Sequence, residues 1–399
     1  MAVDDLWYLA KPGPDGKKQR SQRYGRGKRW RVRWVDPNTG QPRTESFEKK
    51  PDAERFDANT QADISRGQYL DLNAGKVTVR EYAEKWRQQQ VHRDATAARI
   101  ESEFRLHLYD EIGDLAMGKV KPAHIQKWVK GRMDALAPSS LMQVFTDVKA
   151  MFESAVGECI GKNPCKGASL PEIDSKDRFI PTAEQIHALS LALKPRLAAI
   201  AMVTAGTGLR PGEVRGLELE HVDFLRRTVR VEQQIIWSKP HGVHIARPKT
   251  KTSYRTVEVP QVSLDALAAH IQQFPPVEVE LEDRRDPRKP VRRTATLLFT
   301  SESGLSLHNG GYWHRWWSGA AKDAGLPAGF GLHGLRHYFA TALIHAGRSV
   351  KVVQLALGHS TPTITLNTYV HEWPGQDERT RDVLDAALTL PSPGVVTAQ

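Results

Sequence analysis

A chain of 399 residues is longer than one ordinary hydrophobic core organises, which predicts two or three domains. With 40% apolar and 26% charged residues and no apolar run of about eighteen residues, the sequence excludes a membrane-spanning protein and describes a soluble one. A net charge of +11 and a pI near 9.5 favour a polyanionic partner, nucleic acid above all, with a membrane surface or plain solubility as the other readings.

The surplus of positive charge is concentrated at the start. Residues 1–50 hold thirteen Lys and Arg against six Asp and Glu, a net of +7. The opening run MAVDDLWYLAKPG carries acids where a secretory signal needs a basic flank and then a long apolar stretch, so secretion is not expected and a cytoplasmic setting is. In RYGRGKRWRVRWVDPNTGQPRTESFEKK, Trp30, Val32 and Trp34 alternate with Arg29, Arg31 and Arg33, so a strand would place the arginines together on one face. Asp36 to Gly40 supplies turn chemistry, Thr44 to Phe47 reads as the return strand, and a helix is expected from about Asp52 to Arg66. This basic unit, 1–70, could lay its arginine row along a DNA groove; the alternative is an amphipathic hairpin with solvated arginines.

Helical periodicity recurs at Val79–Gln90, Ala95–Leu106, Pro122–Leu136 and Ser139–Ala155, predicting a helical bundle over 76–165. Cys159 and Cys165, six positions apart with few other metal ligands near them, read as reduced thiols. Gly, Pro, Ser and charge make 166–178 a linker.

The third unit spans 179–390. Thr182 and Gln185 fit a capping box, an apolar helix covers about Pro195 to Ala205, and GTGLRPGEVRGLELEHVD places Pro211 at a natural first helical position with Glu213 in the first turn. Strands are expected at Thr228–Ile236, His244–Lys249 and Tyr254–Pro260. Pro275 to Arg293, charged and proline-bearing, reads as a surface insertion before helices resume. Near the end, Val383, Leu384, Ala387 and Leu388 form an apolar helical stripe, and 391–399 is a tail. The fold expected is mainly α with small β-sheets, in three domains.

Four places in this unit carry polar groups that core packing does not explain. Arg210 lies between glycines at a helix mouth, where it either pairs with Glu213 or faces a ligand. PKTKTSYR, Pro248 to Arg255, sets lysines between two strands. In LHGLRHYFATALIHAG, His333 and Arg336 are three apart, on one helix face. LGHSTPTITLNTYVH ends in Tyr369, ten positions after His359; alone, such a tyrosine packs its ring and bonds its hydroxyl. Were Tyr369 a nucleophile, a pKa near 10 would leave about one molecule in a thousand ionised at neutral pH, a deficit of roughly 4 kcal/mol. Attack on a phosphodiester then needs fixed guanidinium groups on the phosphate oxygens, an acid for the leaving oxygen and imidazoles to manage protons. Arg210, Arg336, Lys249, His333 and His359 are of those types. No carboxylate cluster suggests magnesium and no P-loop is present, so a metal- and ATP-independent reaction without a cofactor is expected.

Taken in order, GTGLRPGEVRGL, PKTKTSYR, HGLRHYFATALIHAG and LGHSTPTITLNTYVH closely resemble the catalytic domain of the tyrosine recombinases, specifically the phage-type integrases. The resemblance covers about 179–390; the helical unit is similar to the family's core-binding domain and the basic start to its arm-type DNA-binding domains. It implies that Tyr369 forms a 3′-phosphotyrosyl link and releases a 5′-hydroxyl, that Arg210 and Arg336 clamp the phosphate, and that Lys249 protonates the leaving oxygen. His333 would handle the tyrosine's proton or hold the phosphate, His359 would bond a phosphate oxygen, and Glu213 would support the site. Lys251 is an alternative to Lys249, which the Lys-Thr-x-x-Ser-x-Arg alignment favours. The implied partners are duplex attachment sites, three further copies in a tetramer, and DNA-bending or excision-directing accessory proteins. The rivals are a topoisomerase with the same tyrosine chemistry and a non-catalytic DNA-binding regulator.

Overall fold

The computed structural model describes residues 2–373 except 12, 13, 15, 38, 68, 70–73, 174–177 and 309–312. The apolar stripe at Val383 to Leu388 and the tail 391–399 therefore lie outside the described residues. The chain divides into two compact units, Met1–Ser175 and Lys176–Gln399.

The first unit opens with a three-stranded antiparallel sheet of β1 (Ala2–Asp5), β2 (Trp30–Val35) and β3 (Pro42–Phe47), in that order. Strand β1 was not expected: the acidic start, unsuited to a signal peptide, pairs with β2 in a register that sets Asp4 opposite Arg31. Val32 is fully buried, and Trp34 and Phe47 meet Phe56 of α1 (Lys50–Ser65) at ring distances of 5.4 and 5.2 Å. Next come α2 (Val79–Gln89), α3 (Asp94–His107), the short α4 (Tyr109–Ile112), α5 (Pro122–Arg132) and α6 (Pro138–Ser154). Thr78 caps α2 by accepting from the Glu81 amide while the Glu81 carboxylate accepts from the Thr78 amide. Trp128, Phe104 and Phe152 fill the bundle core together with Cys159 and Cys165. Both cysteines are free, and burial pushes their pKa values up to about 11 and about 12, so they behave as small core hydrophobes.

In the second unit α7 (Ala183–Ala192) starts at the expected capping box, with the Gln185 amide donating to Thr182 Oγ1 and the Thr182 amide donating to Gln185 Oε1. Helix α8 (Pro195–Thr207) is apolar nearly all round and buried, as a central helix must be. It packs against α7, α10 (Gln261–Gln273) and α12 (Leu332–His345). The remaining helices are α9 (Pro211–Arg215), α11 (Trp313–Asp323), α13 (Val350–Leu357) and α14 (Pro362–Tyr369).

The β-structure departs from the sequence reading in two places. Thr228–Ile236 is not one strand: β5 (Thr228–Val231) joins β4 (Val222–Asp223) and β8 (Arg255–Glu258), whereas β6 (Gln234–Ser238) joins β7 (Gly242–Ala246) in a second sheet. The break falls at Gln233, whose buried amide donates to Gly216 O (2.8 Å) and Glu218 Oε1 (2.7 Å) and so pulls the chain out of a continuous strand. The segment read as a surface insertion is a hairpin, β9 (Val277–Asp283) with β10 (Val291–Leu297), which completes the order β10-β9-β7-β6. Leu281, Ala295 and Leu297 close a small core with Ile235 and Ile245. The period-2 alternation of Val277, Val279 and Leu281 with glutamates encodes this, beneath the conspicuous charge.

Candidate active site

Two helix ends build the site. Helix α8 ends at Gly208, with φ +61°, and α13 ends at Gly358, with φ +65°, both in the left-handed region that favours glycine. A Cβ at Gly208 would sit 2.3 Å from the Phe339 ring, and one at Gly358 would sit 2.9 Å from Thr252 O. The freed carbonyls at these termini, where the helix dipole is negative, are taken by cations. Arg336 donates from Nη1 to Gly208 O (2.6 Å) and from Nη2 to Leu357 O (2.7 Å). Arg210 donates from Nη2 to Gly358 O (3.0 Å). The two guanidinium groups thus hold consecutive carbonyls and lie side by side.

Glu213 fixes this arrangement. It is only 2% exposed; one oxygen accepts from Arg210 Nη1 (2.8 Å), and the other from the Arg210 amide (3.0 Å) and Arg255 Nη2 (3.0 Å). Burial alone would raise its pKa, but the charges of Arg255 and Arg210 and their hydrogen bonds outweigh that and hold it below the usual carboxylate range. Arg255 also donates to Ala356 O (2.8 Å) and Ser253 O (3.1 Å). Of the two readings offered for Arg210, the pairing with Glu213 is present, and its other amino group is held on Gly358 O. Two guanidinium groups share one carboxylate and Arg336 has no acidic hydrogen-bond partner among the described residues, so the site is electropositive. Burial first, then the charge of Arg210, brings the Arg336 pKa down to about 9, which leaves it protonated at neutral pH.

Ser253 ties the lysine-bearing turn to the clamp, accepting from Arg210 Nη1 (3.1 Å) and from the Thr250 amide (3.3 Å). Lys249 and Lys251 are both exposed. Lys249 is near enough for its charge to act on His333, together with those of Arg336, Arg210 and Arg178. His333 keeps an exposed edge, yet burial of its ring and these charges lower its pKa. His359 follows Gly358; its Nδ1 is 2.9 Å from Thr365 Oγ1, and burial with the arginine charges takes its pKa down to about 4.

Tyr369 ends α14 and is 2% exposed, packed with Ala340, Ile344, Val353 and Leu357. Its hydroxyl is 2.7 Å from His337 Nδ1. Burial pushes its pKa up to about 12, partly offset by the charge of Arg336. The ordinary expectation for a tyrosine, ring packed and hydroxyl bonded, is met, but the partner is a histidine within the site. Arg178, assigned to the linker, belongs here as well: it donates to Thr368 O and lies 5.8 Å from the Tyr369 ring centroid. All six residues expected from the sequence to be catalytic thus lie in this unit, on or beside the ends of α8, α12, α13 and α14 and the turn before β8. Arg178, Arg255 and His337 were not among the residues expected at the site, although Arg255 ends the PKTKTSYR motif. His337 was findable, because its i,i+4 spacing from His333 puts both on one helix face.

Residues 181–375 match the model of the phage integrase family, and residues 78–133 match that of the phage integrase N-terminal SAM-like domain. The chain belongs to the tyrosine recombinase family. It is a site-specific recombinase that cleaves and rejoins DNA strands to integrate or excise a mobile element. The recombinase is 27% identical to a tyrosine recombinase XerC-like protein of Caldanaerobacter subterraneus subsp. tengcongensis, over 79% of this chain and 85% of that one. It is 25% identical to the integrase of Mycobacterium phage L5, over 73% and 75%. In fold it resembles the Tn1549 transposon integrase in complex with a circular intermediate DNA (TM-score 0.67, 23% identity, 78% of this chain and 99% of that one). It also resembles a lambda integrase tetramer bound to a Holliday junction (0.55, 15%, 83% and 93%).

In the recombinase's first unit Arg31 and Arg33 alternate with Trp30, Val32 and Trp34 along β2, Arg29 just precedes it, and all three arginines are ion-paired, although the Arg33 side chain stays 56% exposed. Arg29 forks onto Asp5 (2.8 Å at the nearest), Arg31 pairs with Asp4 (3.1 Å) and Arg33 with Asp4 (2.7 Å). The aspartates come from β1, the strand the sequence reading lacked.

Proposed function

We propose that Tyr369 is the nucleophile and that Arg210, Lys249, His333, Arg336 and His359 complete the catalytic set, with Glu213 in support. In this reading Tyr369 Oη forms a bond to phosphorus while the bond to the 5′ oxygen breaks, leaving a 3′-phosphotyrosyl link and a 5′-hydroxyl. Lys249 gives a proton to the departing oxygen. The phenolic proton passes to His333, which holds the phosphate in the alternative assignment. His359 donates to a phosphate oxygen. Ligation reverses each step, so the bond energy is retained and no ATP is required. The observation that carries this reading is the pair of guanidinium groups on the consecutive carbonyls of Leu357 and Gly358, which presents two adjacent cations to one anion.

Duplex attachment sites are the proposed substrate and a tetramer the proposed working assembly, as in the lambda integrase complex. Residues 1–70 and 76–165 would bind DNA beside the catalytic domain at 179–390, with 166–178 as the linker. Accessory proteins that bend DNA or direct excision would set the direction of reaction, and the setting would be the cytoplasm of a prokaryotic host. The test is covalent capture on a nicked duplex taken from the DNA flanking the gene, run on a denaturing gel beside Tyr369→Phe. A shifted band with the native tyrosine alone supports the assignment. Equal trapping by the variant transfers the role to another residue, and tight binding without trapping by either favours a regulator.

The ion-paired arginine row gives a second expectation. DNA phosphates must compete with Asp4 and Asp5 for Arg29, Arg31 and Arg33. Replacing both aspartates with asparagine should tighten duplex binding by the full chain about threefold to tenfold at low salt and steepen its salt dependence. Fluorescence anisotropy across a salt series measures both, and an unchanged affinity and slope would remove the row from the DNA interface.

A further inference from the structure

We infer that His337 is a positioning residue for the nucleophile: its Nδ1 accepts the Tyr369 hydroxyl proton in a hydrogen bond and so fixes the phenolic oxygen beside the arginine clamp. The inference rests on the reading of Tyr369 as the nucleophile. Three observations carry it. The Nδ1 to Oη distance is 2.7 Å, a short, well-formed hydrogen bond between partly buried groups. His337 follows Arg336 on α12 and lies one turn beyond His333, whose ring it meets edge-on at 4.8 Å, while it meets the Tyr369 ring at 5.5 Å. The phenol is thus joined through one imidazole to the helix face that carries a clamp arginine. The tyrosine ring also packs on the apolar residues of its cluster, which fix the plane of the ring but not the hydroxyl.

The bond has a definite polarity. A neutral phenol donates, so Nδ1 accepts and the ring proton sits on Nε2. Burial and the nearby positive charges take the His337 pKa down to about 3, which keeps the imidazole neutral and available as an acceptor at any working pH. The same property makes it a weak base, so its part is to place the hydroxyl, and the proton leaves by another route. Holding an attacking atom within reach of phosphorus is worth a great deal: a displacement of about 1 Å costs on the order of a hundredfold in rate.

The atom used, Nδ1, gives a test that a mere packing role would not pass. Asparagine places its side-chain oxygen near the position of Nδ1, whereas glutamine places its oxygen near that of Nε2. Full-length His337→Asn, His337→Gln and His337→Ala are compared with the parent protein in single-turnover trapping on saturating nicked duplex, with DNA affinity and thermal melting measured alongside. His337→Ala and His337→Gln should trap about 10- to 100-fold more slowly at unchanged affinity, and His337→Asn should recover to within a few-fold of the parent. Equal rates for the asparagine and glutamine variants, or an alanine variant as fast as or faster than the parent, would overturn the inference. If alanine does not fold, the asparagine–glutamine pair decides alone. Failure of the parent to trap, or trapping by Tyr369→Phe, would instead sink the nucleophile assignment, so the two failures are distinguishable.

Discussion

Glu213→Ala should cost the catalytic unit about 3–5 kcal/mol and abolish measurable strand cleavage. The carboxylate is the counter-charge for Arg210 and Arg255, and its side chain is 1% exposed. Removing it leaves two cations facing each other, with Arg336 close by, in a region where water cannot screen them; unpairing a buried ion pair costs that much. The loss is a large part of the 5–15 kcal/mol that an ordinary domain has in total. Cleavage fails for a separate reason: Arg210 loses its contacts to both Glu213 oxygens, through side chain and backbone, and is no longer held beside Arg336. Glu213→Gln keeps an acceptor oxygen but no charge, so it should lie between the two in urea midpoint. Urea unfolding followed by tryptophan fluorescence, with the trapping assay, checks the order parent, glutamine, alanine. An alanine variant as stable as the parent would mean that Arg210 and Arg255 find water or other partners.

Acidification from pH 7 to pH 5 should destabilise the catalytic unit by several kcal/mol, well above the range where carboxylates titrate. His221, His244 and His270 are buried, and burial lowers their pKa values. His337 and His359 are taken down to about 3 and about 4 by the same cause, joined by neighbouring positive charge. These groups bind a proton less readily in the folded state than in the unfolded chain, where they take one up below about pH 6.5. The unfolded state therefore holds more protons throughout the window from about 6.5 down to the lowered folded values, and stability falls as pH falls through it. Each group can contribute at most about 1.4 kcal/mol per pH unit, so five set a ceiling of about 7 kcal/mol per pH unit. Partial exposure of His337 and His359 reduces that ceiling, but about a third of it still removes roughly 3 kcal/mol between pH 6.5 and 5. Glu213 adds a later loss with its own sign: its lowered folded pKa stabilises above the ordinary carboxylate range, and that contribution disappears only as pH falls through the lowered value. Urea midpoints at pH 8, 6.5 and 5 measure the slope. A flat profile down to pH 5 would show that these imidazoles are hydrated in the folded state.

Local chemistry was enough to read much of this protein. The capping box at Thr182 and Gln185, the helix start at Pro211, the bundle helices over 79–155 and the residue types of the site are set by neighbours a few positions apart, and such patterns survive in a one-dimensional string. So does the i,i+3 pairing of His333 with Arg336. Where the reading erred, a distant partner had overridden local preference: Gln233 breaks a run of strand-forming residues because Gly216 and Glu218 capture its amide. The charged run after Pro275 becomes a hairpin because β7 offers it an edge. Only the tertiary structure decided which groups meet. Gly208 and Gly358 are punctuation in the sequence, and their role as the seats of Arg336 and Arg210 exists only once α8 and α13 end against the same pair of guanidinium groups. Asp4 and Asp5 look like an acidic start until β1 pairs with β2 and neutralises the arginine row. The sequence alone determined which chemical groups were available and which helices would carry them. Their distances, their burial and hence their pKa values were decided by packing, because electrostatic and hydrogen-bond energies depend on separation and solvent access, not on position along the chain.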